Sequence, residues 1–139
     1  MRLRREGKKE VEAFTREEQQ RIIEECKNHY YGMAFKFDFY TGLRAGELLG
    51  LTWNCVDFTN NTIRVNKQVQ RNKNFSTNAK NKTILGFVYN TKTETSTRTI
   101  KVLPQIMQEL AEYKKEQDKL KHRIGKDYYK YDLVFPRQD

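Results

Sequence analysis

The residues best suited to chemistry stand in one run, Thr41 to Trp53, which reads T-G-L-R-A-G-E-L-L-G-L-T-W. A Thr-Gly pair ends an apolar segment, and Gly42 can adopt backbone angles closed to other residues, so the chain can turn sharply there. A short helix then starts at Leu43 or Arg44. On it Glu47, Leu48 and Leu51 fall on the same side as Arg44. An arginine in the first turn occupies the end of the helix dipole that prefers anions. Two partners could answer that charge. One is Glu47, one turn on, in an ordinary short-range ion pair. The other is a phosphate, which would meet both the guanidinium fork and the free N–H groups of the helix end. The residue types alone leave both open.

The flanking segments read as the support for this run. Phe14-Thr15-Arg16-Glu17-Glu18 is a helix start, with Thr15 as cap and Glu18 completing a capping box. That helix runs to about Asn28 and buries Ile22, Ile23 and Cys26. A second helix covers Tyr30 to Tyr40, with Met33, Ala34, Phe37 and Tyr40 as its core face, widened by Phe35 and Phe39. A third, about Arg44 to Leu49, leads to Trp53.

Thr62 to Gln70 alternates apolar and polar residues, as a strand with one wet face does. Residues 71 to 82, rich in Asn, Lys and Ser, read as a mobile loop or loose hairpin extension. Ile84–Tyr89 and Arg98–Leu103 are two more strands, separated by a polar turn, Thr91 to Ser96. Pro104 suits the first position of a helix, whose inner stripe is Ile106, Leu110, Tyr113, Gln117 and Leu120. Residues 122 to 130 read as a basic loop, and Leu133 to Pro136 as a short apolar strand or extended segment. The expected fold class is α+β: helices packed on one side of a small three-stranded antiparallel sheet. Residues 1–10 read as a basic linker or arm, and 11–139 as the domain.

The chain has 139 residues, 37% hydrophobic and 32% charged, which allows one domain with a real core. A formal net charge of +9 favours a polyanionic partner, nucleic acid before an anionic membrane surface. No apolar run approaches the ~20 residues of a spanning helix. Cys26 and Cys55 form no metal-type cluster, so we expect two buried, reduced thiols in a cytoplasmic protein, with no metal. The charged start M-R-L-R-R-E-G-K-K-E lacks the apolar stretch of a secretory signal.

The run Thr41 to Trp53, continued by Asn54-Cys55-Val56-Asp57-Phe58, resembles the first arginine motif of the tyrosine recombinases, the phage-integrase type of DNA breaking-and-rejoining enzymes. Thr91 to Ile100, T-K-T-E-T-S-T-R-T-I, is similar to that family's K-T-x-x-S-x-R-x-I pattern, carried on a β-hairpin beside the active site. Taken alone, Lys92 is a turn lysine in solvent; by the resemblance it is catalytic. The resemblance covers about residue 10 to the end.

That resemblance implies a mechanism. A tyrosine hydroxyl attacks a DNA phosphodiester, giving a 3′-phosphotyrosyl link and a free 5′-hydroxyl, and a second DNA end then attacks the link. Fixed cations do the electrostatic work without a metal or other cofactor. Arg44 is then one clamp on the non-bridging oxygens. Lys92 is the general acid at the leaving oxygen. Glu47 supports the Arg44 region from behind.

Lys67, Arg71, Lys73, Lys80, Lys82 and Arg98 are the expected contacts to double-stranded DNA. The family's H-x-x-R motif and its nucleophilic tyrosine match nothing here: His29 and His122 lack that context, and Tyr128, Tyr129 and Tyr131 precede Leu133 to Pro136, where the family has no nucleophile. The expectation is therefore the first part of an integrase catalytic domain, from a phage, prophage or other mobile element. It would be inactive alone and monomeric, and would join other integrase subunits on DNA only in the complete protein. The alternative is a basic DNA-binding module without chemistry. An RNA-associated domain is a weaker third reading, since no RNA-stacking aromatic pair is visible.

Overall fold

A computed structural model describes residues 11–73, 83–89, 97–125 and 131–136. The arm 1–10, the Lys80 and Lys82 stretch, Thr91 to Ser96 with Lys92, and Tyr128 and Tyr129 lie outside the described residues. The order is α1 (Arg16–Cys26), α2 (Gly32–Thr41), α3 (Ala45–Leu49), a 3₁₀ turn (Trp53–Cys55), β1 (Val56–Asp57), β2 (Thr62–Val65), β3 (Lys67–Lys73), β4 (Thr83–Tyr89), β5 (Arg98–Lys101) and α4 (Pro104–Ile124).

The expected α+β class holds, but the strands divide differently. The segment expected as one strand breaks at Asn66. Its first half, β2, lies between β1 and β5 in a three-stranded antiparallel sheet. Its second half, β3, pairs with β4 in a separate antiparallel ribbon, from Lys67↔Tyr89 to Lys73↔Thr83. Arg71 to Lys73, expected as the start of a loop, therefore continue a strand. The short β1 lacked any alternation that could have announced it.

Thr15 caps α1 as expected: its hydroxyl accepts the Glu18 N–H at 3.3 Å, and the Glu18 carboxylate accepts the Thr15 N–H at 2.8 Å. Yet α1 buries no residue; Ile22, Ile23 and Cys26 are only half-buried. It touches α2 along one flank and stays outside the core cluster. The aromatic face of α2 is likewise narrower than expected. Ala34 and Phe37 are buried, while Phe35, Phe39 and Tyr40 are exposed. An aromatic-rich helix has more apolar surface than one neighbouring layer can cover.

The core is built on Phe37, Ile63, Met107, Leu110 and Val134, all fully buried. α4 places Ile106, Met107, Leu110 and Gln117 on it, and continues through His122 and Arg123, which were expected in a loop. The last described segment returns to α3's exit: Thr52 bridges Leu133, and the Val134 N–H donates to the Leu51 carbonyl at 2.9 Å. Both cysteines are free and half-buried, not fully buried. Among the described residues, no helix is long and apolar enough to cross a membrane.

Candidate active site

Arg44 is held by the turn that precedes it. Gly42 caps α2 with φ +63°, and its N–H donates to the Asp38 carbonyl at 2.8 Å. That left-handed geometry favours glycine. The Thr41 hydroxyl donates to the Phe37 carbonyl at 2.8 Å. The Asp38 carboxylate accepts the Leu43 N–H, and burial raises its pKa. Leu43 is buried, so the turn is anchored on both sides.

The start of α3, expected at Leu43 or Arg44, falls at Ala45, and Arg44 itself is the cap, with an extended backbone at φ −72°, ψ 146°. Its carbonyl accepts the Glu47 and Leu48 N–H groups at 2.8 and 2.9 Å. Its own N–H donates to Glu47 Oε2 at 3.0 Å. The guanidinium points outward: the side chain is 81% exposed, and Nη1 stands 3.5 Å from Glu47 Oε1. That is too long for a strong charge-assisted hydrogen bond.

Glu47 is buried, with a side chain only 3% exposed. It receives both arms of the Arg98 fork, Nη1 to Oε1 and Nη2 to Oε2, each at 2.9 Å. The Arg98 hydrogen bonds, with the Arg44 backbone and both arginine charges, hold its pKa below the usual carboxylate range. Arg98, expected at DNA phosphates, is thus turned inward on Glu47. Its parity explains this: β5 alternates, so Arg98 and Ile100 share the inner side while Thr99 and Lys101 are exposed.

Lys67 departs from expectation in the same way. It is 7% exposed, and its ammonium donates to the Thr52 hydroxyl at 2.7 Å, with Cys55 Sγ and Asn66 Oδ1 at 3.5 Å. It continues the inward parity of Ile63 and Val65, which charge alone obscured. Arg71 and Lys73 lie in β3 by their backbone only; their side chains, like Lys80, Lys82 and Lys92, are outside what is described. Arg64, opposite Thr99, and Lys101, opposite Thr62, are exposed cations on the sheet's outer face. Arg64 was not singled out in the sequence, though the polar positions of T-I-R-V mark it.

α3 seats the ribbon. Gly46 and Gly50, one turn apart, lie against β3. A Cβ on Gly46 would stand 2.9 Å from the Val69 carbonyl oxygen, and one on Gly50 3.1 Å from the Val69 nitrogen. The glycines of the A-G-E-L-L-G run therefore permit a helix–strand approach that any side chain would block. One five-residue helix carries Arg44 at its cap, Glu47 inward to β5, and its glycine face to β3.

The sequence profile of the phage integrase family matches residues 12–138. A XerC-like tyrosine recombinase of Caldanaerobacter subterraneus subsp. tengcongensis is 35% identical over 121 residues, 86% of this chain. The chain spans 30% of that relative's length. Among solved structures, the Tn1549 transposon integrase in complex with a circular intermediate DNA superposes with a TM-score of 0.67 at 18% identity, covering 95% of this chain and 38% of that one. The same integrase in complex with transposon right end DNA gives 0.66 at 22% identity, over 94% and 40%. These likenesses agree with the fold described above, and the family match spans nearly the whole chain: it belongs to the phage integrase family of tyrosine recombinases.

Proposed function

We propose that this chain forms the first part of the catalytic domain of a site-specific DNA recombinase, acting on double-stranded DNA through a 3′-phosphotyrosyl intermediate in the complete protein. One observation carries this reading. The Arg44 guanidinium stands exposed beside a carboxylate that holds its backbone but leaves its fork at 3.5 Å. A fork so presented suits the two non-bridging oxygens of a phosphodiester, where charge grows in the transition state. Lys92, which precedes β5 in the sequence, is the general acid by the family pattern. Arg64 and Lys101 add to the basic surface that draws in DNA. The Tn1549 integrase was solved on DNA, which supports the choice of partner. The chain by itself is a monomer and forms no covalent DNA adduct; assembly with other subunits belongs to the complete protein.

The test is fluorescence anisotropy of the chain with duplex DNA over a salt series, with Arg44→Ala alongside. Binding should weaken steeply with salt, and the log–log slope should fall by about 0.9 in the variant, the value for one phosphate contact. An unchanged slope would remove Arg44 from the phosphate. A covalent adduct on nicked DNA would overturn the assignment of inactivity to the isolated chain.

A further inference from the structure

Two arginines compete for one buried carboxylate. Glu47 carries a single negative charge, and its oxygens receive the Arg98 fork at 2.9 Å twice while Arg44 Nη1 waits at 3.5 Å. Arg98 is fixed for this task. It is paired with the buried Val65 across the sheet, and its side chain is 36% exposed against 81% for Arg44. A bidentate, partly desolvated pair outweighs a long, solvated one. We infer that Arg98 is a positioning residue: by occupying the Glu47 carboxylate it keeps the Arg44 guanidinium free for a DNA phosphate. This rests on the proposed role of Arg44 at phosphate.

Loss of the Arg98 charge would leave a buried carboxylate with one cation in reach. Arg44 would close the gap and fold onto Glu47, since an unpaired buried charge is costly. Its fork would then be spent inside the protein. Removing the carboxylate as well would release it. The two roles open to Arg98 therefore part company in a double variant. A residue that itself touches phosphate loses that contact whatever stands at position 47. A residue that only occupies Glu47 becomes dispensable once Glu47 is neutral.

The salt series should include Arg44→Ala, Arg98→Gln, and Arg98→Gln combined with Glu47→Gln. Arg98→Gln should lower the log–log slope by about 0.9, matching Arg44→Ala, and the double variant should return to the parent slope. The double variant strands no charge, so it reports even where Arg98→Gln alone fails to fold. A double variant still about 0.9 below the parent would place Arg98 itself on the phosphate and overturn the inference. So would a parental slope in folded Arg98→Gln. A parental slope in Arg44→Ala is a different failure: it overturns the phosphate role of Arg44 and the inference with it.

Discussion

The Trp53 indole N–H donates to the Gln117 side-chain oxygen at 2.6 Å, inside the core. The other end of the same amide donates to the Leu133 and Val134 carbonyls at 3.3 and 3.0 Å. One buried glutamine thus fastens the exit of the arginine helix to α4 and to the last described segment. Gln117→Leu keeps the volume but takes away the partner of an indole N–H and of two carbonyls. We expect a loss of about 2–4 kcal/mol in urea unfolding. A loss below about 0.5 kcal/mol would mean that water or a rearranged neighbour takes over the amide's role.

The seat of α3 on β3 gives a second prediction. Gly50→Ala must push against the Val69 and Gly46 backbone, which is not free to give. Destabilisation of about 1–3 kcal/mol should follow. Amide exchange in β3 should quicken beyond the global change, because the ribbon has lost its seat. Gly42→Ala meets no neighbouring atom, only the left-handed backbone at φ +63°, and should cost about 1 kcal/mol without loosening β3.

Two carboxylates set opposite pH dependences. Glu47 titrates lower in the folded state than in the unfolded chain, first because Arg98 hydrogen-bonds to it. Its stabilisation is present above the unfolded value of about 4.3 and is lost as pH falls through the folded value. Asp38 is raised by burial. Its contribution is greatest below the unfolded value of about 3.9 and is lost as pH rises through the folded one. Thermal melts from pH 3 to pH 7 (about the range of carboxylate titration) should therefore separate two variants. Glu47→Gln should flatten the acid limb, and Asp38→Asn should gain on the parent as pH rises. An Asp38→Asn curve parallel to the parent would contradict the second assignment.

Lys67 offers the sharpest check on side-chain placement. Among the described residues no carboxylate pairs with it, so its ammonium is buried on neutral partners. Lys67→Met replaces a desolvated charge by an apolar chain of similar length. Stability should change by no more than about 1–2 kcal/mol, and a gain is compatible with the physics. In the DNA salt series its slope should equal the parent's, whereas a phosphate-contacting lysine would lower it by about 0.9. A lowered slope would mean that Lys67 turns out to reach DNA.

What the sequence determined by itself was local. The Thr15–Glu18 capping box, the Gly42 turn, the start of α4 at Pro104 and the inner stripe through Ile106, Leu110 and Gln117 all depend on residues within a turn or two of one another. The family was legible for a similar reason: the Thr41–Trp53 run is ungapped, and its residues serve one short helix. Tertiary structure decided where charges end up. Glu47 and Arg98 are 51 residues apart, and their contact exists only because β5 pairs with β2 in one register. A slip of one residue would turn Arg98 to the outer face and Thr99 inward. The break at Asn66 was equally invisible, since alternation continues through it from Ile63 to Lys67. Parity along the strands had placed both Lys67 and Arg98 on the inner side. Their charge argued for water. Parity prevailed because each finds hydrogen-bond partners inside, and those partners come from parts of the chain that only folding brings together.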